Sequence, residues 1–252
     1  MDPTLLAVLV GAAVAGLGGL LVPTLIARIP DIEPEEADPA HTGGEGDATV
    51  PPREPEPPPE PFADIAALPR LAMWAAVASV VLGALIGLGV DWTWGLVMWA
   101  PLVPVGVALA VVDWRTRLLP TYVIRPTAAA LVLLSLVGWA VTRDTAALER
   151  ALIGGLVALV FFFVCFFIYP RGLGFGDVRL AGALGVALGW LGWGQWVVGL
   201  YSGFLLGGLI GGLLAVLKVV DRKGFPFGPF MLLGAVVGVL WGADVWSSLV
   251  TG

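Results

Sequence analysis

The chain has 252 residues, 58% hydrophobic and 13% charged, with a formal net charge of −6. Its mean hydropathy of +0.94 excludes an ordinary soluble domain, in which about 25% of residues are charged. No basic stripe with interleaved aromatics points to nucleic acid, and one cysteine and one histidine exclude a disulfide framework, an imidazole-based triad and a His-rich metal site.

The apolar runs predict eight membrane-crossing helices, over roughly 5–27, 71–90, 95–112, 126–142, 151–169, 178–194, 196–217 and 226–249. Most hold ~17–23 apolar residues, enough at 1.5 Å per residue for a hydrocarbon core of ~30 Å. The expected fold class is therefore all-α, a polytopic membrane protein, and the 35 glycines suit helices that approach closely in lipid.

Residues 1–30 read as an N-terminal transmembrane anchor. The opening Met1-Asp2-Pro3-Thr4 lacks the basic n-region of a cleaved signal peptide, and Arg28 follows the run. Residues 31–68 differ: nine prolines, eleven acids and one base, Arg53, among them. Such a stretch buries too little apolar surface to offset its ordering entropy, and it is expected to be a disordered, acidic cytoplasmic linker. Its local charge of −10 leaves +4 for the remainder of the chain. Residues 69–252 then form a seven-helix membrane domain.

Basic residues set the orientation. With the N-terminus outside, the inner segments hold eleven, including Arg115, Arg117, Arg125, Arg171, Arg179, Lys218, Arg222 and Lys223, and the outer ones only Arg143 and Arg150. Trp92, Trp94, Trp139, Trp190, Trp193, Trp196, Trp241 and Trp246 fall near the outer interface as an aromatic belt. Cys165, within the Phe161–Phe167 run, reads as a buried structural thiol.

Two acids stand out. Asp113 ends the third span in Asp113-Trp114-Arg115-Thr116-Arg117-Leu118-Leu119-Pro120, and Asp177 starts the sixth in Gly174-Phe175-Gly176-Asp177-Val178-Arg179-Leu180. An acid at membrane depth is a functional hypothesis by default, and the topology brings both to one face. Two carboxyl groups within reach share one proton; the ionised member activates water while the protonated one polarises a peptide carbonyl. Gly174 and Gly176 would let an extended substrate backbone approach. Taken singly, Asp177 reads equally as a helix cap, and Asp113 as a boundary charge paired with Arg115 or Arg117. Pro226-Phe227-Gly228-Pro229 reads as a rigid helix-starting turn or as a wall of the substrate cleft.

These residues resemble the prepilin peptidases, the type IV leader peptidase family of G-x-G-D intramembrane aspartyl proteases. Asp113-x-x-Thr116-x-x-x-Pro120 is similar to the family's first aspartate motif and Gly174 to Leu180 to its second. Pro226-Phe227-Gly228-Pro229-Phe230 is similar to the segment that opens its last helix, and Arg28-Ile29-Pro30 to the end of its first. The resemblance implies catalytic Asp113 and Asp177, with Gly174, Gly176, Thr116, Pro120 and Arg179 in support. It also implies a multi-pass protein of a bacterial or archaeal plasma membrane that removes the leader of prepilins or pseudopilins at the cytoplasmic face.

Many members carry a cytoplasmic domain with paired cysteines for zinc and N-methylate the new terminus with S-adenosylmethionine. Here the cysteine-free linker stands in that position, so neither zinc nor S-adenosylmethionine is expected. Arg179 replaces the usual lysine. The alternative from another class is a proton-coupled transporter or channel using the same carboxylates. Acids at one interface and the lack of an internal repeat count against it.

Overall fold

The computed structural model describes residues 2–30, 60–168, 173–216 and 226–251. The expected linker over 31–59, and Arg171, Lys218, Arg222 and Lys223, lie outside the described residues. Among these residues there are helices and no strand: α1 (Pro3–Leu20), α2 (Val22–Ala27), α3 (Phe62–Ala66), α4 (Leu71–Val90), α5 (Trp94–Thr116), α6 (Thr121–Thr142), α7 (Thr145–Ile168), α8 (Phe175–Leu191), α9 (Trp193–Val216) and α10 (Gly228–Thr251).

The protein is an all-α, multi-pass membrane protein. Six helices (α1, α4, α5, α6, α7 and α10) are long and apolar enough to cross a membrane. The other two expected spans also form helices, α8 with 17 residues and α9 with 24. The first span is interrupted at Leu21, where Pro23 near the start of α2 forbids a continuous helix. The third runs to Thr116, so Asp113 lies inside its last turn and not at its end.

Small residues set the packing. The helices form three antiparallel pairs, α1 with α4, α7 with α8 and α9 with α10, whose backbones touch. A Cβ on Gly19 would lie 2.7 Å from Ala76 Cα, one on Gly185 2.6 Å from Gly154 O, and one on Gly238 2.5 Å from Gln195 O. Helices in lipid gain little from hydrophobicity and associate through such close packing. At one end of the bundle Thr4 Oγ1 donates to Asp91 Oδ1 at 2.7 Å, tying α1 to α4.

α8 is the most enclosed helix, buried at every residue from Ala181 to Trp190. Its run of Ala and Gly lets neighbours reach its backbone on all sides. α5 is the most buried of the six long spans, and Trp99 Nε1 joins it to α8 by donating to Ala187 O at 3.2 Å. Large apolar side chains such as Leu17, Phe167, Tyr201 and Leu249 face outward instead, as a hydrocarbon solvent requires.

One expectation is corrected at the end of the linker. Residues 62–66 are not disordered: they form α3, with Phe62 3% and Ile65 0% exposed. Phe62 and Ile65 are spaced i, i+3, so they share a helix face that packs with α2 and α5. Glu60 fixes the approach through a two-pronged bond with Arg115, Nε to Oε2 at 2.8 Å and Nη2 to Oε1 at 2.6 Å. The guanidinium holds the Glu60 carboxyl below the usual carboxylate range. Arg115 thus pairs with Glu60 and not with Asp113.

Candidate active site

The two interior helices each bring one aspartate to the same end of the bundle. Asp113 is 4% exposed and Asp177 7% exposed. Both line a cavity of about 440 Å³ with Gly174, Phe175, Gly176, Leu119, Pro120 and Phe62.

A tight turn after α5 makes the meeting possible. Arg117 takes a left-handed conformation with φ 57° and donates its N–H to Asp113 O at 2.8 Å, closing the helix. Thr116 Oγ1 donates to Val112 O at 2.8 Å and accepts the Leu118 N–H at 3.2 Å. Pro120 then caps α6. The start of α8 rests on this turn: a Cβ on Gly176 would lie 2.6 Å from Leu119 Cβ, so only glycine admits the approach. Gly176 is therefore a packing requirement.

Each carboxyl group is held by one backbone amide on one oxygen. Gly174 N–H donates to Asp177 Oδ2 at 2.8 Å; Asp177 is the third residue of α8 and reaches back over the first turn to the N-cap residue, as in a capping box. Gly228 N–H, at the start of α10, donates to Asp113 Oδ2 at 2.9 Å in a buried bond. Both Oδ1 atoms have no hydrogen-bond partner among the described residues. That leaves one acceptor on each group for a shared proton or a water.

Several sequence expectations change in this light. Pro226, Phe227, Gly228 and Pro229 are not among the residues lining the aspartate cavity, although the Gly228 amide bonds Asp113 and Pro229 lines a neighbouring cavity. Phe227, next in sequence to Gly228, packs with Phe162 and Phe204, ring centroids 6.3 and 5.4 Å away. Thr116 also stays off the cavity and shapes the turn. Arg179 points elsewhere: it donates to Thr121 Oγ1 and stacks 4.3 Å over the Phe175 ring. Its link to the aspartates runs through those two residues, which do line the cavity.

Ile29 and Pro30, from the motif that ends the first span, join the lining, as do Phe62 and Tyr122, which were not singled out from the sequence. The signal for Phe62 was its i, i+3 pairing with Ile65 beyond the proline run. Cys165 is half-buried in α7, and among the described residues no three His, Cys, Asp or Glu side chains gather as a metal would need.

Residues 100–216 match the type IV leader peptidase family. Both aspartates fall inside the matched stretch; Phe62 and Gly228 fall outside it. The prepilin leader peptidase/N-methyltransferase of Aeromonas salmonicida is 28% identical over 183 residues, covering 70% of this chain and 59% of that protein. Its counterpart in Pseudomonas putida is 27% identical over 180 residues, 66% of this chain and 58% of that one. The leader peptidase HopD of Escherichia coli is 34% identical over 113 residues, 42% of this chain and 64% of that protein. The chain thus spans about three-fifths of the length of the first of these curated relatives. No solved structure matches it.

Proposed function

We propose that the chain is a membrane aspartic endopeptidase that removes the leader peptide of type IV prepilins or pseudopilins at the cytoplasmic face. The observation that carries this reading is the pair Asp113 and Asp177, both buried, on separate helices, opening into one cavity with one oxygen of each anchored by a glycine amide. The partial match to the type IV leader peptidase family and the likeness to prepilin leader peptidases suggest the substrate class, and the excess of basic residues in the segments on the aspartate side supports the orientation.

In this mechanism the two carboxyl groups hold one proton between them. The ionised group takes a proton from water as the water oxygen attacks the scissile carbonyl carbon. The protonated group donates to the carbonyl oxygen. The resulting gem-diol collapses as one hydroxyl proton passes to the ionised carboxylate and the C–N bond breaks. The other carboxyl group gives its proton to the departing amine, which leaves the dyad with one proton again. Anchoring each Oδ2 keeps the carboxyl planes fixed, so little reorganisation is needed when charge moves. The reading covers peptide hydrolysis alone; zinc and S-adenosylmethionine take no part in it.

Co-expression with a candidate prepilin tests the proposal. Wild type converts precursor to the shorter product, whereas Asp113→Ala and Asp177→Ala, and the near-isosteric Asp→Asn changes, leave precursor. Full cleavage by a variant at either position removes that residue from the mechanism.

A further inference from the structure

On the other side of Arg179 from the aspartates, α6, α7 and α8 enclose a separate cleft of about 360 Å³. Its walls are small or aliphatic, among them Ala128, Val132, Gly155, Leu156 and Leu159. Leu156 and Leu159 are exposed at the outer surface of the bundle, so the cleft opens sideways to the region that hydrocarbon occupies. The remaining lining is cationic: Arg125 in the first turns of α6 and Arg179 in the first turns of α8.

Among the described residues neither arginine forms an ion pair with a carboxylate, although both line the same cleft. Arg179 is already ordered by the Thr121 hydroxyl and the Phe175 ring, while Arg125 is exposed. Two uncompensated guanidinium groups at the end of an apolar cleft are complementary to one molecule with an anionic head and a hydrocarbon tail. We propose that this cleft binds an anionic glycerophospholipid. The phosphate sits between Arg125 and Arg179, and one acyl chain lies along α6, α7 and α8.

Charge-assisted bonds from two guanidinium groups suit a phosphate, and basic pockets between transmembrane helices attract anionic headgroups. A free phosphate would satisfy the cations but leave the aliphatic walls uncovered. Lipid occupancy also has a consequence for the aspartate cavity, because Thr121 and Phe175, on which Arg179 leans, form part of that cavity. A bound headgroup holds this shared wall.

The test uses the full chain in detergent micelles, with thermal unfolding followed on adding phosphatidylglycerol, phosphatidylcholine or inorganic phosphate. Native mass spectrometry counts the lipid retained. Phosphatidylglycerol at ~100-fold over its Kd is expected to raise the Tm by roughly 5 °C, with one molecule retained; the other two additions give no comparable shift. Arg125→Gln and Arg179→Gln each lose most of this shift, and Ala128→Phe, which fills the cleft and keeps both cations, loses lipid retention.

An equal shift with phosphatidylcholine, or with inorganic phosphate, overturns the lipid site. So does wild-type retention by Arg125→Gln, whose exposed side chain can be replaced without unfolding the bundle. These readouts do not depend on peptide cleavage, so this inference and the proposed function fail separately.

Discussion

Replacing Gly228 by alanine probes the contact between α10 and Asp113. A Cβ at Gly228 would lie 2.8 Å from Asp113 Oδ2, and 3.3 Å from both Asp113 Cγ and Leu119 Cδ2. Ordinary contact begins at 3.4 Å, so the carboxylate must retreat by about 0.6 Å or rotate. Either movement weakens the 2.9 Å bond from the Gly228 amide. Hydrogen bonds to charged groups are worth about 1.5–3 kcal/mol, and misplacing a reacting group by on the order of 1 Å costs about 10²-fold in rate.

The expected outcome for Gly228→Ala is therefore a loss of roughly 10- to 100-fold in kcat for leader removal. Folding should change little, because the obstruction is the end of a side chain and not backbone. Precursor conversion in proteoliposomes, with thermal unfolding in the same lipid, separates the two effects. Gly208→Ala is the control, since nothing lies within 4 Å of a Cβ there. Wild-type turnover by Gly228→Ala, with unchanged unfolding, would refute the idea that this amide fixes a working carboxylate.

Two further outcomes follow from the packing and the charges. Arg115 lowers the ionisation range of Glu60, so the pair supports α3 in full above about pH 4.5 and is lost as pH falls through the lowered value. Glu60→Gln, or acidification of wild type, should raise cysteine labelling of an Ala63→Cys probe on α3; labelling that is the same in all these states defeats the reasoning. In Gly238→Val the new Cβ would lie 2.5 Å from Gln195 O and 2.6 Å from Gly199 Cα, with only backbone to move. Overpacking of this kind costs typically ~1–3 kcal/mol, so α9 and α10 separate at lower temperature; an unchanged Tm contradicts the close approach.

Much of this was legible in the residues themselves. Hydropathy reports whether a stretch prefers lipid, which made the helical spans and the outlying carboxylates Asp113 and Asp177 readable one segment at a time. The two glycines before Asp177 carried a weak signal by themselves in a chain with 35 glycines, and gained weight only beside the companion motif at Asp113. The same local logic failed at 60–68, where proline and acid content masked the docking of Phe62 and Ile65.

What the tertiary structure decided is partnership. Asp113 and the Gly228 amide are 115 positions apart, and composition does not say which helix end supplies a hydrogen bond to a given carboxylate. Nor does it say that Arg115 turns to Glu60, or that Arg179 faces a different cleft from the residue two places before it. A transmembrane helix exposes similar apolar faces to lipid and to other helices, so its environment is written in its own sequence. The choice of neighbour instead depends on where small residues let two backbones touch.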